Sequence, residues 1–109
     1  KNKKTFFAMT AHIIFNKIDN QNTVTQSKKL IKLIRQKIGF KNILISDDLS
    51  MKSLKGSLEK NTIKTFKAGC NIVLHCNGNF NEMEIVGKNS PLIDKFIFKK
   101  TSQFYEILS

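Results

Sequence analysis

The sequence predicts an α/β fold in which three short parallel strands alternate with helices. Two observations support this prediction: short apolar runs recur along the 109 residues, and apolar residues recur at helical spacing in the segments between them. Because parallel strands need a long crossover connection, this alternation indicates βαβ units. The right-handed crossover then brings the carboxyl ends of all three strands to one edge of the sheet, where the loops of such folds form their functional sites.

The first half of the chain contains the first strand, the first helix and the second strand. Residues 5–9, "TFFAM", are a short apolar run that predicts a buried strand. Thr25 or Ser27 could cap the helix that follows, and Gly39 is placed to end it. Residues 42–46, "NILIS", predict the second strand. The helix itself is predicted by apolar residues at helical spacing, namely Leu30, Ile31, Leu33, Ile34 and Ile38.

The second half predicts one more strand and three more helices. A helix is expected over residues 57–68 and should stop at Gly69. Residues 71–76, "NIVLHC", predict the third strand. A short helix is expected near residues 80–87, and a further helix should follow with Pro91 in its first turn, where a missing N–H costs nothing.

Composition is that of an ordinary globular protein and argues against two classes of partner. Hydrophobic residues make up 40% of the chain and charged residues 25%. No apolar run approaches the roughly 20 residues needed to span a bilayer, and the start does not resemble a signal peptide. The net charge of +11 comes from eighteen lysines and one arginine scattered along the chain, which indicates a solvated lysine surface. We therefore expect neither a nucleic acid nor a membrane as partner.

Two cysteines, Cys70 and Cys76, are too few for a disulfide framework, and their spacing fits no common zinc or redox motif. This cysteine usage favours reduced thiols in a cytoplasmic protein.

Two adjacent carboxylates, Asp47 and Asp48, follow the second strand directly in the stretch "ILISDDLSM", residues 43–51. Three interpretations are open. The pair could begin the next helix as an N-cap. It could hold magnesium, as paired acids do in a receiver domain. That fold also needs an aspartate at the end of a later strand, but the later strand here, residues 71–76, ends in His-Cys. It could also contain the acid of a glycosidase.

A set of segments supports the glycosidase interpretation. Residues 8–12 ("AMTAH"), 30–40 ("LIKLIRQKIGF"), 43–51 and 68–77 ("AGCNIVLHCN") together resemble bacterial cytoplasmic β-N-acetylhexosaminidases of glycoside hydrolase family 3. The resemblance covers about residues 5–80, in order and with almost no gaps. One departure is Asn71, where the family usually has aspartate.

The resemblance implies a (β/α)8 TIM barrel of which this chain holds the last three strands. Residues 1–109 would then be a single partial domain, the C-terminal portion of the barrel. The aspartate directly after serine is the family's nucleophile, which maps onto Asp47. Asp48 is expected to turn away and hydrogen-bond the following segment. His12, at the end of the neighbouring strand, is expected either to bind the sugar or to pack beneath the pocket as a satisfied polar residue.

The family's acid/base histidine lies in a Lys-His-Phe-Pro-Gly-His context that this sequence lacks. The resemblance thus implies a fragment of a retaining cytoplasmic enzyme that removes terminal N-acetylglucosamine from the muropeptides of peptidoglycan. Such a fragment needs the missing N-terminal barrel portion, uses no metal or cofactor and is inactive alone. The alternative is a non-catalytic remnant or interaction module that binds a partner chain.

Overall fold

Three parallel strands form one sheet and lie in it in chain order, with the second strand in the middle. The computed structural model describes residues 5–51 and 54–108. The strands of this sheet are β1 (Phe7–Met9), β2 (Ile43–Asp48) and β3 (Ile72–Leu74), and the helices are α1 (Lys28–Leu33), α2 (Leu58–Ala68), α3 (Phe80–Lys88) and α4 (Lys95–Leu108). The predicted alternation and the parallel pairing of the central strand with both neighbours are confirmed.

The strand boundaries differ from the predicted ones: β1 and β3 are shorter than the predicted 5–9 and 71–76, and β2 is shifted towards the C-terminus relative to 42–46. This strand continues past residue 46 and includes both aspartates. Its pairing with β1 is regular, from Phe7 opposite Ile43 to Met9 opposite Ile45. Its pairing with β3 is irregular, because Ile45 lies opposite Ile72 but Asp48 lies opposite Leu74. Three steps along β2 therefore match two steps along β3, and β2 carries one extra residue just before its end.

The ends of the first two helices follow the predicted capping signals. Ser27 is the N-cap of α1, and its Oγ accepts a hydrogen bond from the Leu30 amide at 3.1 Å. A π-helical turn, Ile34–Ile38, continues α1 and stops at Gly39, which adopts the left-handed conformation with φ of 80°. The helix α2 ends at Gly69, whose φ of 122° also favours glycine.

The predicted start of the last helix is wrong. The helix α4 begins at Lys95, not at Pro91. The reason lies in the available caps: the Oδ1 atom of Asp94 accepts the Ile97 amide at 2.8 Å, whereas the Ser90 hydroxyl before the proline donates to the Val86 carbonyl at the end of α3. Residues 91–94 therefore form a connection between the two helices.

The buried core lies between the sheet and the helices α1 and α2. Its fully buried members come from one face of β2, from both helices and from the start of the third βα unit: Ile31, Leu44, Ala68 and Cys70. On the opposite side, Met9 is 58% exposed although it pairs with the central strand. The last helix contributes Phe104, whose ring packs edge-on against Phe6 and Phe7 at 5.6 and 5.2 Å. No helix in the described part of the chain is long and apolar enough to cross a membrane.

Candidate active site at the carboxyl edge of the sheet

Asp47 lies at the end of the central strand, on a backbone that is held from both sides. The hydroxyl of Ser46, which is completely buried, donates to the Asp47 carbonyl at 2.8 Å and accepts the Leu74 amide of β3 at 3.0 Å. The Asp47 Oδ1 atom accepts the Asp48 amide at 2.8 Å. Within residues 5–51 and 54–108, no hydrogen bond reaches the other carboxylate oxygen. Asp47 is thus a half-buried acid with a fixed backbone and one carboxylate oxygen that accepts no hydrogen bond from the described residues.

Asp48 has the opposite character, because the chain uses its whole carboxylate. Oδ1 accepts the amides of Ser50 and Cys76 at 3.0 and 2.9 Å, and Oδ2 accepts the Ser50 hydroxyl at 2.7 Å. Burial raises the pKa of Asp48, but these hydrogen bonds together with nearby His75 outweigh it, so the pKa lies below its usual value. The expectation that Asp48 hydrogen-bonds the following segment is confirmed, and the bond to Cys76 also joins β2 to the end of β3.

His12 lies next to these acids and uses both of its ring nitrogens within the chain. Nε2 is 2.9 Å from the Asp48 carbonyl oxygen, and Nδ1 is 2.9 Å from the Thr25 hydroxyl. A carbonyl only accepts, so Nε2 carries the hydrogen. The Thr10 hydroxyl donates to Thr25 at 2.9 Å, which leaves the Thr25 proton for Nδ1. This order of hydroxyl donors favours the His12 tautomer that carries its hydrogen on Nε2.

The predicted position of His12 at the same edge as Asp47 is confirmed, since its ring bonds the carbonyl of Asp48, the residue after Asp47. Contact between His12 and a sugar stays a prediction. From the sequence, Thr25 was expected only as a possible helix cap. The hydrogen bond between Thr25 and His12 was missed. No sequence pattern signals it, because the two residues meet only when the loop returns along the strand end, with amide bonds from Val24 to Ile13 and from Thr25 to Ala11.

A second polar cluster lies at the end of β3 and was also missed. His75 is 5% exposed in its side chain, and its Nε2 lies 2.9 Å from the Glu82 carboxylate of α3. Glu82 accepts the Asn77 side-chain amide at the same distance. These contacts, first the bond with His75 and then the bond from Asn77, lower the pKa of Glu82. The cluster anchors α3 to the rim, next to the Cys76 amide that binds Asp48.

Metal ligation finds no support in the part of the chain that the structure describes. Among those residues, no group of three or more histidine, cysteine, aspartate and glutamate side chains is arranged to hold an ion. Both cysteines are free, and burial raises the pKa of the Cys70 thiol to about 11.

A parallel βαβ sheet with a carboxylate at the carboxyl end of its central strand fits the class of α/β barrels, in which the functional residues lie at the carboxyl ends of the strands. A model of the glycosyl hydrolase family 3 N terminal domain matches residues 2–96, and the chain belongs to this family. The resemblance seen in the sequence and the TIM-barrel type of fold that it implied are thereby confirmed.

Individual relatives agree with this assignment. A β-hexosaminidase of Photobacterium profundum is 28% identical over 106 residues, which make up 92% of this chain and 32% of that protein. A β-hexosaminidase of Methylobacillus flagellatus is 38% identical over 71 residues, or 63% of this chain and 20% of that protein. The chain therefore spans about a third or less of these relatives.

Solved structures show the same relationship. The β-N-acetylglucosaminidase from Thermotoga maritima superposes with a TM-score of 0.66 at 30% identity, over 76% of this chain and 19% of that one. The β-N-acetylhexosaminidase from Beutenbergia cavernae gives a TM-score of 0.68 at 26% identity, over 75% of this chain and 25% of that one.

Proposed function

We propose that this chain is the nucleophile-bearing part of a retaining β-N-acetylhexosaminidase, with Asp47 as the nucleophile. The observation that carries the proposal is the contrast between the two adjacent acids. Asp48 gives both oxygens to the chain, whereas Asp47 keeps one oxygen without a hydrogen bond among the described residues, on a backbone clamped by Ser46. A carboxylate that attacks an anomeric carbon needs such an open oxygen in a fixed position.

The chemistry requires a second group that this site does not supply. In a retaining glycosidase, an acid protonates the leaving oxygen while the nucleophile forms a covalent glycosyl intermediate, and the same group then activates water. His12, at the same edge of the sheet, is a poor candidate because both of its ring nitrogens are engaged. Its role in the proposal is to hold the Asp48 carbonyl, and with it the backbone next to Asp47, in place. The acid/base group then comes from the part of the barrel that precedes these three βα units.

The exposed apolar surface supports a complementary barrel portion as partner. Around β1 and the loop after it, Met9, Ile13 and Phe15 are 58%, 54% and 52% exposed, and the outer edges of β1 and β3 have no strand partner among the described residues. Further strands would cover this surface and complete the sheet. In this proposal residues 1–109 are one partial domain, which acts in the cytoplasm on terminal N-acetylglucosamine of muropeptides.

The same exposed surface would also suit a non-catalytic module that binds a partner chain. The two functions differ in one respect: only the enzyme needs the carboxylate of Asp47. An activity that depends on this side chain therefore separates them.

The test is complementation. Residues 1–109 are expressed with the N-terminal two-thirds of a related family 3 enzyme, and hydrolysis of an aryl N-acetylglucosaminide is measured. We expect activity from the pair and none from residues 1–109 alone, since general acid–base help alone is typically worth about 10² to 10⁴-fold.

The matched variants are Asp47→Ala and Glu84→Ala, which remove one carboxylate each, the second from the exposed surface of α3. We expect Asp47→Ala to lose activity and to regain it with azide, a small external nucleophile that yields a glycosyl azide. Glu84→Ala should behave as the unmodified chain. Full activity of the Asp47→Ala pair would refute the assignment, and assembly of an inactive pair by the unmodified chain would favour the binding module.

A further inference from the structure

A basic cleft lies at the edge of the sheet opposite Asp47. It is formed where the chain enters β2 and β3 and where the last helix begins, and its volume is about 600 Å³. Four cationic side chains line it, Arg35, Lys41, Lys99 and Lys100, against one carboxylate, Asp94. This edge takes no part in the chemistry proposed above.

The cleft contains one rigid cation, the guanidinium of Arg35. Its Nη1 donates to the carbonyls of Phe40 and Asn42, and its Nη2 donates to Asn71 Oδ1 at 2.7 Å. Its central carbon lies 5.7 Å from the ring centre of Phe40 and 5.5 Å from that of Phe96. The group is therefore held in one orientation before any ligand arrives, which reduces the entropy lost on binding.

The charge of Arg35 is not neutralised within the described chain. All three hydrogen-bond acceptors are neutral, and no carboxylate among those residues lies within ion-pair distance of the guanidinium. Arg35 is half-buried, so its guanidinium has lost part of its hydration, and this burial lowers the pKa of the group. The Nε hydrogen and the second hydrogen of Nη2 have no acceptor in the described residues. A half-buried cation with unused donors favours an anion.

We propose that this cleft binds a small, multivalent phosphate anion. The four cationic side chains exceed the one carboxylate by three positive charges, which a ligand with several negative charges balances better than a single carboxylate does. The planar guanidinium of Arg35 also matches the spacing of phosphate oxygens. The volume is in the range of pockets for small molecules.

The decisive variant is Asn71→Asp, which offers Arg35 a carboxylate partner of its own. The asparagine Oδ1 also accepts the Leu44 amide at 2.9 Å, and a carboxylate oxygen accepts that bond equally well, so the local structure is kept. The matched control is Asn20→Asp, which makes the same charge change on an exposed loop residue outside the cleft. Pyrophosphate is the probe, titrated calorimetrically into residues 1–109 at constant ionic strength, with acetate as the monovalent comparison.

We expect pyrophosphate to bind more tightly than acetate. The Asn71→Asp change should weaken pyrophosphate binding by about tenfold or more, whereas Asn20→Asp should change it less than about twofold. Lys99→Gln, compared with Lys28→Gln on the exposed start of α1, should weaken binding independently of Arg35. Equal losses in Asn71→Asp and Asn20→Asp would show attraction to net charge alone and would overturn the proposal. Absence of binding would overturn it too. Neither result bears on Asp47, so the two proposals fail separately.

Discussion

Replacing Thr25 with valine tests how the site is held together. Valine has nearly the shape of threonine, so the completely buried side chain keeps its volume and loses only its hydroxyl. That hydroxyl accepts from Thr10 and donates to Nδ1 of His12. The backbone contacts of residue 25, with the Ala11 carbonyl and the Cys70 thiol, do not depend on it.

The expected cost follows from the partners left behind. The Thr10 hydroxyl retains a weak alternative, the Cys70 sulfur at 3.8 Å. Nδ1 of the half-buried His12 has no second hydrogen-bond partner in the described chain, and a polar group that loses its partner away from water costs about 1–3 kcal/mol. We therefore expect Thr25→Val to lower the free energy of unfolding by about 2 kcal/mol. Thr62→Val is the control: this threonine is equally buried, but its hydroxyl only bonds the Leu58 carbonyl one turn back in α2, so we expect a loss of about 1 kcal/mol or less.

Equilibrium urea unfolding measures both losses, and long-range ¹H–¹⁵N correlation spectra report the protonation of each ring nitrogen. In the native protein, Nε2 of His12 should carry the hydrogen and Nδ1 should not. After Thr25→Val, the His12 signals should show exchange between tautomers. The reasoning is refuted if the unmodified protein carries the hydrogen on Nδ1, or if the Thr62→Val loss equals the Thr25→Val loss.

Two further predictions concern stability. Gly69→Ala should lower the free energy of unfolding by about 1–3 kcal/mol in the same urea assay. The reason is that the backbone φ is 122° and that an added Cβ would lie 2.8 Å from a side-chain carbon of α1. Unchanged stability would contradict this close approach. Hydrogen bonds, first from the Ser27 hydroxyl and then from the loop amides and the Asn22 side chain, lower the pKa of Asp19 from 3.8 to about 2. Its contribution to stability is therefore complete above pH 3.8 and is lost as the pH falls towards 2, so Asp19→Asn should flatten this part of the stability–pH curve; an unchanged curve would rule the contribution out.

Local signals account for what the sequence predicted well. Ser27 and Gly39 delimit the first helix because a hydroxyl cap and a left-handed glycine act within one turn of the chain. The start of α4 was mispredicted for a related reason. Two cap candidates, Ser90 and Asp94, compete there, and the contact of Ser90 with α3 decides between them.

Contacts between distant parts of the chain explain what could not be predicted. The sequence placed Asp47 and His12 at one edge of the sheet, because strand order and handedness are general rules. The link between Thr25 and His12 depends on a loop whose path no periodicity encodes. Whether a carboxylate neutralises the charge of Arg35 likewise depends on the acceptors that the folded chain brings to it, namely two carbonyls and the Asn71 side chain.

The extra residue in β2 explains why the side chain of Ser46, just before the two aspartates, takes part in the pairing of the sheet. At the register shift between β2 and β3, the Leu74 amide donates its hydrogen bond to the Ser46 hydroxyl and not to a main-chain carbonyl. The Ser46 side chain thereby replaces the backbone acceptor that a regular pairing of the two strands would provide. Deleting a residue from this part of β2 would restore a regular ladder, but it would also turn the next side chain to the other face of the sheet. The position of the Asp47 side chain at this edge therefore depends on the one extra residue in β2.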